Sequence, residues 1–375
     1  MSPRPDSRRI PLVDALKAIA CICIVWHHLA FYGPMSDVAR PLAPALLDWL
    51  AEYARMAVHV FLVIGGFLAA GSLAPQGDAG RAGGAVAPLV QILRRYGRLA
   101  APYLVALTVS VLVAALVRPM LHSPVVPDAP ELLQLLANGL LVQDLAGEDG
   151  LSAGVWYVAI DFQLFVLAVA AFAVDGWLQR RWPSQAGRGA VLLVLGVALL
   201  SLLVFNRDEG YDDTAFYFFG SYALGMMAWW AGRSPRPGRW VAVMLAIGVA
   251  ALALDWRGRL ATALVAALIL VAVQHSERMR GWPVPRALQH LGQMSYSVFL
   301  IHFPVCLAVA AAVSRLWPAV PAAHALGMLA AFLLSVAAGS ALHYGVERRA
   351  NSLRTVAVLL GVLVACGWAV GQWAG

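Results

Sequence analysis

The sequence predicts an all-α polytopic membrane protein, a bundle of about 10–11 transmembrane helices. Three observations support this fold class. The chain of 375 residues is 61% hydrophobic and only 13% charged. Its apolar runs, separated by charged connections, have the length of membrane-spanning helices. Arginine residues collect in alternate connections, which is typical of loops that stay in the cytoplasm. We therefore expect a multi-pass protein with a cytoplasmic N-terminus.

Eleven apolar segments are long enough to cross a bilayer. They cover residues 11–32, 54–74, 98–118, 154–174, 188–206, 214–232, 238–254, 259–274, 290–314, 324–346 and 353–373. The first segment contains an acid and several bases, so we do not interpret it as a cleaved secretory signal. Between the third and fourth segments, residues 119–153 begin with prolines and then predict a short amphipathic helix.

The composition argues against several other kinds of site. The net charge of +7 follows from arginine-rich connections, and no basic stripe interleaved with exposed aromatic residues indicates a nucleic-acid partner. The four cysteines lie in apolar segments and lack the paired spacing of a disulfide framework or a zinc site. We therefore expect no metal site and no nucleic-acid partner.

The first segment carries the most informative polar residues, which are Asp14, Lys17, His27 and His28. Lys17 is the only lysine of the chain. At about 100° per residue, Asp14, Lys17 and His28 share one stripe of the helix, and His28 lies roughly 16 Å from Lys17 along its axis. Such residues usually face a bundle interior, because ionisable groups are costly in hydrocarbon. An ion pair of Asp14 with Lys17 at the inner face is the simpler alternative, but the shared stripe favours a functional site with His28 as proton acceptor.

Three arginines, Arg94, Arg95 and Arg98, stand at the predicted cytoplasmic mouth of the third segment. Each one alone is explained by the tendency of basic residues to stay inside. Because they are three and four positions apart, the cluster can also grip a phosphorylated ligand.

The fourth segment begins with Trp156 and Tyr157 and contains Asp161 about two turns below the predicted outer face. The two aromatic residues are consistent with an interfacial belt. Asp161 needs a partner in the membrane, and a histidine or an arginine on a neighbouring helix would serve.

Two further ionisable residues occur late in the chain. His302 lies near the middle of the ninth segment, and Glu347 lies where the tenth segment reaches the cytoplasm. A structural role is the simpler interpretation of a lone buried histidine. For Glu347 the simpler interpretation is an ion pair with Arg348 or Arg349. In the second segment, Gly65 and Gly66 permit close approach of a neighbouring backbone.

Taken in order, these stretches resemble the acyltransferase-3 family of membrane-bound acyltransferases. The matching positions are Asp14, Lys17 and His28; Phe61 to Phe67; Arg94, Arg95, Arg98 and Pro102; Trp156, Asp161, Gln163 and Phe165; Ser295, Tyr296, Phe299 and His302; and Glu347 with Arg348. The resemblance spans residues 10 to 350 and selects His28 over His27. The chain departs from the family pattern at Lys17, Gly65, Asp161 and Arg349, where arginine, serine, glutamate and proline are usual.

The resemblance implies acyl transfer, most often acetyl transfer, from cytosolic acyl-coenzyme A to a hydroxyl of a cell-envelope polysaccharide or a lipid-linked glycan. It implies residence in a bacterial inner membrane, and acyl-coenzyme A as a co-substrate rather than a tightly bound cofactor. His28 would act as general base or carry the acyl group transiently, and Asp161 would orient the imidazole or bind sugar hydroxyls. The expected site residues are Asp14, Lys17, His28 and Asp161 for catalysis; Lys17, Arg94, Arg95 and Arg98 for the donor; and Trp156, Tyr157, His302 and Glu347 for the acceptor.

The resemblance also divides the chain into an acyltransferase-3-like membrane domain over 1–350 and an additional C-terminal transmembrane helix over 351–375. Two other functions are compatible with the same residues. A proton-coupled transporter or flippase of a glycan or lipid precursor also uses intramembrane Asp, Lys and His, although the sequence has no inverted repeat. A membrane scaffold is disfavoured, because it does not need buried ionisable groups on one stripe.

Overall fold

The protein is a helical bundle in the computed structural model, which describes residues 10–73, 87–182, 189–349 and 352–374. No strand occurs within these ranges. The long helices are α1 Pro11–Phe31, α2 Val58–Leu73, α3 Pro88–Val117, α4 Val155–Arg181, α5 Gly189–Leu203, α6 Ala215–Ala231, α7 Pro237–Leu254, α8 Gly258–His275, α9 Ser295–Leu316, α10 Pro321–Leu342 and α11 Leu353–Ala374. Ten of the eleven, some with a short flanking turn, are long and apolar enough to cross a membrane. The predicted fold class is therefore confirmed.

The remaining long helix, α6, has 17 residues and lies at the centre of the bundle. Its residues Tyr222 and Met226 are fully buried. Helix α2 packs directly on it, because a Cβ on Gly66 would overlap the carbonyl oxygen of Tyr222, and a Cβ on Gly225 would overlap that of Val63. Of the two glycines of the second segment, Gly66 thus permits the close backbone approach that the sequence predicts.

Helix α3 is longer than the sequence predicts. It begins at Pro88, about three turns before the expected start at residue 98. Proline is favourable in the first turn because its missing N–H has no partner there. Arg94, Arg95 and Arg98 consequently lie within the helix and not at its mouth, so Arg94 and Arg98 share one face while Arg95 points about 100° away from Arg94.

The predicted amphipathic helix between α3 and α4 is broken into two short helices, Leu132–Gly139 and Gln143–Ala146. Leu141 between them has a φ of 62°, which is uncommon for a residue with a side chain. The buried Asn138 holds the break together, because its amide donates to the carbonyls of Gln134 and Asp149 and accepts from the N–H of Leu151. This turn brings Asp144 to the cavity described below.

The predicted ninth segment is likewise divided, into Arg286–Gln293 and α9. The short helix packs against α1 so closely that a Cβ on Gly292 would overlap the carbonyl oxygen of Asp14. Helix α10 continues into a π-helical turn, His343–Glu347. Such turns are frequent at functional sites.

Candidate active site

Two histidines from distant parts of the chain meet inside the bundle. Nδ1 of His28, near the end of α1, lies 2.6 Å from Nε2 of His302 on α9. The two rings are nearly parallel, with centroids 4.8 Å apart. His302 is fully buried, so its orientation is fixed by packing. The sequence predicts His302 as a residue that binds the acceptor, whereas the structure makes it the direct partner of His28.

The hydrogen bonds of this pair assign the protons. Nδ1 of His302 lies 2.6 Å from the carbonyl oxygen of Phe299, and a carbonyl only accepts. Nδ1 of His302 therefore donates, which leaves Nε2 of a neutral His302 as an acceptor. Nδ1 of His28 must then carry a proton and donate to it. In a neutral His28 the remaining nitrogen, Nε2, is unprotonated and can take a proton from a ligand.

His28 lies in the wall of a cavity of about 740 Å³, which is within the usual range of small-molecule sites. Ile24, Ile160 and Trp156 form apolar and aromatic parts of the wall. Charged residues also line the cavity, namely Arg55, Arg207, Arg257, Arg259, Asp144, Glu209, Asp212, Asp213 and Asp255. We call this space the His28 cavity. Its mixed polar and aromatic lining suits a polar ligand with an apolar face.

The residues predicted around the start of α4 have different positions. Trp156 faces the His28 cavity and packs against Phe218. Tyr157 is not among the residues that line the cavity, and its ring packs between Phe61 and Phe299. Of the two aromatic residues, Trp156 lines this cavity and Tyr157 does not.

Asp161 does not contact either histidine of the pair in the described part of the chain. Its Oδ2 accepts a hydrogen bond of 2.5 Å from Nη2 of Arg95, and both side chains are largely buried. A Cβ on Gly65 would lie 2.8 Å from Asp161 Oδ1, so the glycine at this position makes room for the carboxylate. The partner that the sequence requires for Asp161 is thus an arginine, and the group that orients His28 is His302.

At the opposite end of α1, Nζ of Lys17 lies 2.7 Å from Oδ1 of Asp14. The predicted i, i+3 ion pair is therefore present. Asp14 is buried, and 24% of the Lys17 side chain is exposed. We call this the Lys17 end of the bundle, and the opposite end the His28 end.

The predicted arginine cluster is divided. Arg94 and Arg98 are exposed at the Lys17 end and stand one helical turn apart. Arg95 points inward to Asp161. A phosphorylated ligand at this end therefore finds two of the three guanidinium groups on the surface.

Glu347 is bound within the bundle. Its Oε2 accepts a hydrogen bond of 2.5 Å from Ser297 and lies 2.8 Å from Nδ1 of His343. Arg348 instead lies over the ring of Tyr344. In the described part of the chain Glu347 makes these contacts from the π-helical turn, and it forms no ion pair with Arg348 or Arg349.

The sequence does not single out most of the polar residues that line the His28 cavity. Among them are His59 on α2 and Arg259 on α8, and Ser221 on α6 lies behind His59. None belongs to a recognisable local pattern, because each comes from a different helix.

Comparison with known proteins identifies the family. The acyltransferase-3 family model, described as an acyltransferase domain, matches residues 10–344. Neither a curated protein nor a solved structure matches the chain significantly. Helix α11 lies beyond the matched range, and the division into a domain over 1–350 and an extra helix stays a prediction. The match covers nearly the whole chain, and so the protein belongs to the acyltransferase-3 family of membrane acyltransferases.

Proposed function

We propose that the protein transfers an acetyl group from cytosolic acyl-coenzyme A to a hydroxyl of a cell-envelope polysaccharide or a lipid-linked glycan. We place it in the inner membrane of a bacterium, with the Lys17 end in the cytoplasm. The observation that carries the proposal is that His28, in the wall of a polar cavity, is paired with the buried His302. Acyl transfer to a hydroxyl is assisted by a base that removes the hydroxyl proton, and Nε2 of His28 would supply this base.

The chemistry follows from the proton positions. His28 Nε2 removes the proton of the acceptor hydroxyl while its oxygen attacks the thioester carbonyl. When the C–S bond breaks, the thiolate of coenzyme A takes this proton and leaves as a thiol. His302 stabilises the transient charge on His28 through the shared hydrogen bond. Alternatively, Nε2 attacks the thioester first, the C–S bond breaks, and the coenzyme A thiolate leaves as an acyl-imidazolium forms. The hydroxyl then takes the acyl group and gives its proton to that thiolate, which restores the neutral imidazole.

The donor would bind at the Lys17 end. Arg94 and Arg98 offer exposed cations for the phosphates of coenzyme A, and Lys17 adds a third charge near the bundle interior. The neutral pantetheine arm would then extend along α1, since the roughly 16 Å between Lys17 and His28 is comparable to its length.

Arg95 and Asp161 would limit how far the phosphates enter. The charge of Arg95 is already neutralised by Asp161, so this arginine does not attract a phosphate into the bundle. Because a buried pair that loses one partner leaves an uncompensated charge, we expect the pair to stay closed during turnover. Asp161 thus has a structural role in this mechanism, and His302 takes over the orientation of the imidazole.

Paired substitutions of the adjacent histidines test the proposal. His27 also lines the cavity and donates its Nδ1 proton to the carbonyl of Leu50, so His27→Gln is a matched control for His28→Gln. We expect His28→Gln to lower O-acetylation by about 10²–10⁴-fold, the usual contribution of a general base. His27→Gln should stay within a few-fold of wild type.

The measurement is mass spectrometry of envelope glycans from a deletion strain that expresses each variant, with membrane insertion checked by immunoblot. Full O-acetylation with His28→Gln would remove His28 from the mechanism. If the deletion changes no acyl group but abolishes proton-dependent flux of a glycan precursor, the protein is a transporter instead.

A further inference from the structure

A second group of polar side chains lines the His28 cavity. His59 and Arg259 face the cavity from α2 and α8, while Ser221 on α6 lies behind His59. His59 and Ser221 are both buried. Neither His28 nor His302 contacts this group in the described residues, so it is independent of the proton-transfer pair.

The contact between His59 and Ser221 fixes which nitrogen of His59 faces the cavity as a donor. Nδ1 of His59 lies 2.8 Å from Oγ of Ser221, and Ser221 Oγ has no other hydrogen-bond partner in the described part of the chain. The helical acceptor that a serine commonly uses, the carbonyl of Tyr217, already accepts from Ser201 and from Asn206.

If His59 donated to Ser221, the hydroxyl proton of Ser221 would be buried without an acceptor, which costs about 1–3 kcal/mol. The satisfied arrangement has Ser221 donating to Nδ1. Nε2 of a neutral His59 then carries the proton. His59 consequently presents an N–H donor to the cavity.

Arg259 adds a fixed cation to the same wall. Its Nη2 donates to the carbonyl of Asn206 at 3.0 Å, and the guanidinium lies 4.8 Å over the ring of Tyr217. Its Nε–H is buried and closed to a ligand, whereas its Nη1 makes no hydrogen bond within the described residues. No carboxylate of the described residues forms an ion pair with it. The protein therefore orients this guanidinium without using all of its donors.

The neighbouring Arg257 shows the contrast. Its guanidinium is buried and donates to Asn206, to the carbonyls of Leu202 and Ala251, and to Asp255. Arg257 is thus used by the protein itself. Among the arginines that line the cavity, Arg259 combines a fixed orientation with unused donors.

We propose that His59 and Arg259 form a recognition site for an anionic oxygen of the acceptor, either a sugar carboxylate or a sugar phosphate. A neutral N–H donor beside a guanidinium offers only donors and one positive charge, which matches an acceptor-only anion. The neighbouring Trp156 and Phe218 would pack against the apolar face of the sugar ring. This inference rests on the proposed function, and it narrows the acceptor to an acidic glycan.

Binding of matched probes tests the inference without requiring transfer. The full chain in lipid nanodiscs is titrated calorimetrically with methyl β-D-glucoside, methyl β-D-glucuronide and glucose 6-phosphate. The first probe is neutral, the second carries a carboxylate and the third a phosphate. We expect the wild type to bind at least one charged probe about tenfold more tightly than the glucoside, and which one it prefers identifies the anion.

The variants His59→Phe and Arg259→Gln should each reduce this preference to about twofold or less, while His59→Gln, which keeps an N–H donor, should retain most of it. Arg207→Gln is the matched control, because it removes one charge from the cavity at an exposed position. Its preference should stay within about threefold of wild type. Thermal unfolding of each variant verifies that it is folded.

Two results would overturn the inference. One is equal affinity of the wild type for the three probes, including no measurable binding of any. The other is an equal loss in Arg207→Gln and Arg259→Gln, which would reduce the effect to the general charge of the cavity. Either result would leave acyl transfer at His28 standing, because that proposal is tested by O-acetylation.

Discussion

Replacing His302 by leucine removes the hydrogen bond that orients His28. Leucine is close to histidine in size, and residue 302 is fully buried, so the substitution changes hydrogen bonding more than packing. The Nδ1–H of His28 would lose its acceptor, at a cost of about 1–3 kcal/mol. His28 would no longer be held in the tautomer that leaves Nε2 free. We expect kcat to fall by about 10²–10³-fold, which corresponds to about 3–4 kcal/mol in the barrier.

The conservative variant His302→Gln separates orientation from packing. The oxygen of the glutamine amide can accept from His28, and its NH₂ group can donate to the carbonyl of Phe299. We expect this variant to keep activity within about tenfold of wild type. Both variants should leave KM for acetyl-coenzyme A nearly unchanged, because His302 contacts His28, whereas the proposed donor-binding residues lie at the Lys17 end of the bundle.

The assay is acetyl-coenzyme A-dependent transfer by the protein in nanodiscs, or O-acetyl content in cells where the acceptor is not in hand. Size-exclusion profiles and thermal unfolding confirm that each variant is folded. Wild-type kcat in His302→Leu, or the same loss in the leucine and glutamine variants, would refute the argument that His302 acts by holding the proton on His28 Nδ1.

Three further predictions concern other parts of the molecule. Lys17→Arg should keep acyl transfer, whereas Lys17→Met should raise KM for acetyl-coenzyme A about tenfold. Equal KM values for the two variants would leave Lys17 only the role of ion-pair partner of Asp14. Burial and the nearby Asp213 raise the pKa of Asp144 from 3.8 to about 6. The free energy of unfolding should therefore fall by about 1 kcal/mol as the pH rises from about 4 to about 6, allowing for the partial exposure of Asp144. The variant Asp144→Asn should lose this pH dependence in thermal unfolding. An unchanged pH profile in that variant would contradict the prediction. Gly66→Ala should destabilise the bundle by about 1–3 kcal/mol, because the added Cβ overlaps the backbone of Tyr222. Gly196→Ala is the control, since open space surrounds this glycine, and it should not destabilise the bundle. Equal melting temperatures of the two variants would show that α2 and α6 can separate at no cost.

The fold could be predicted from the sequence because each membrane span is specified locally. An apolar run of sufficient length forms a helix in the bilayer whatever its neighbours are, since its backbone groups must be satisfied internally. The start of α3 differs from the prediction, because residues 88–97 contain polar and charged groups and yet continue the helix. This segment stays helical although it is less hydrophobic, because arginine is a good helix former and proline is favourable in the first turn.

The partners inside the site could not be predicted in the same way. His28 and His302 are 274 positions apart, and Asp161 and Arg95 are 66 apart. The stripe on α1 indicated that His28 faces inward, but periodicity of one helix does not indicate which side chain of another helix meets it. His59 gave no signal at all, because its partner Ser221 looks like any small residue of an apolar helix.

The adjacent histidines of α1 differ in the group that accepts their Nδ1 proton, and this difference supports our proposal that His28 is the base. Both His27 and His28 line the cavity, and both donate from Nδ1. By proton position alone, either Nε2 could act as a base. The difference lies in the acceptor: the carbonyl of Leu50 can only receive the proton of His27, whereas the imidazole of His302 donates in turn to a carbonyl and is polarised by it. A chain of hydrogen bonds strengthens each of its members, so positive charge that develops on His28 is better stabilised than on His27. Since general base catalysis depends on stabilising this charge in the transition state, the second imidazole, and not the buried position, is our reason for proposing His28 as the base.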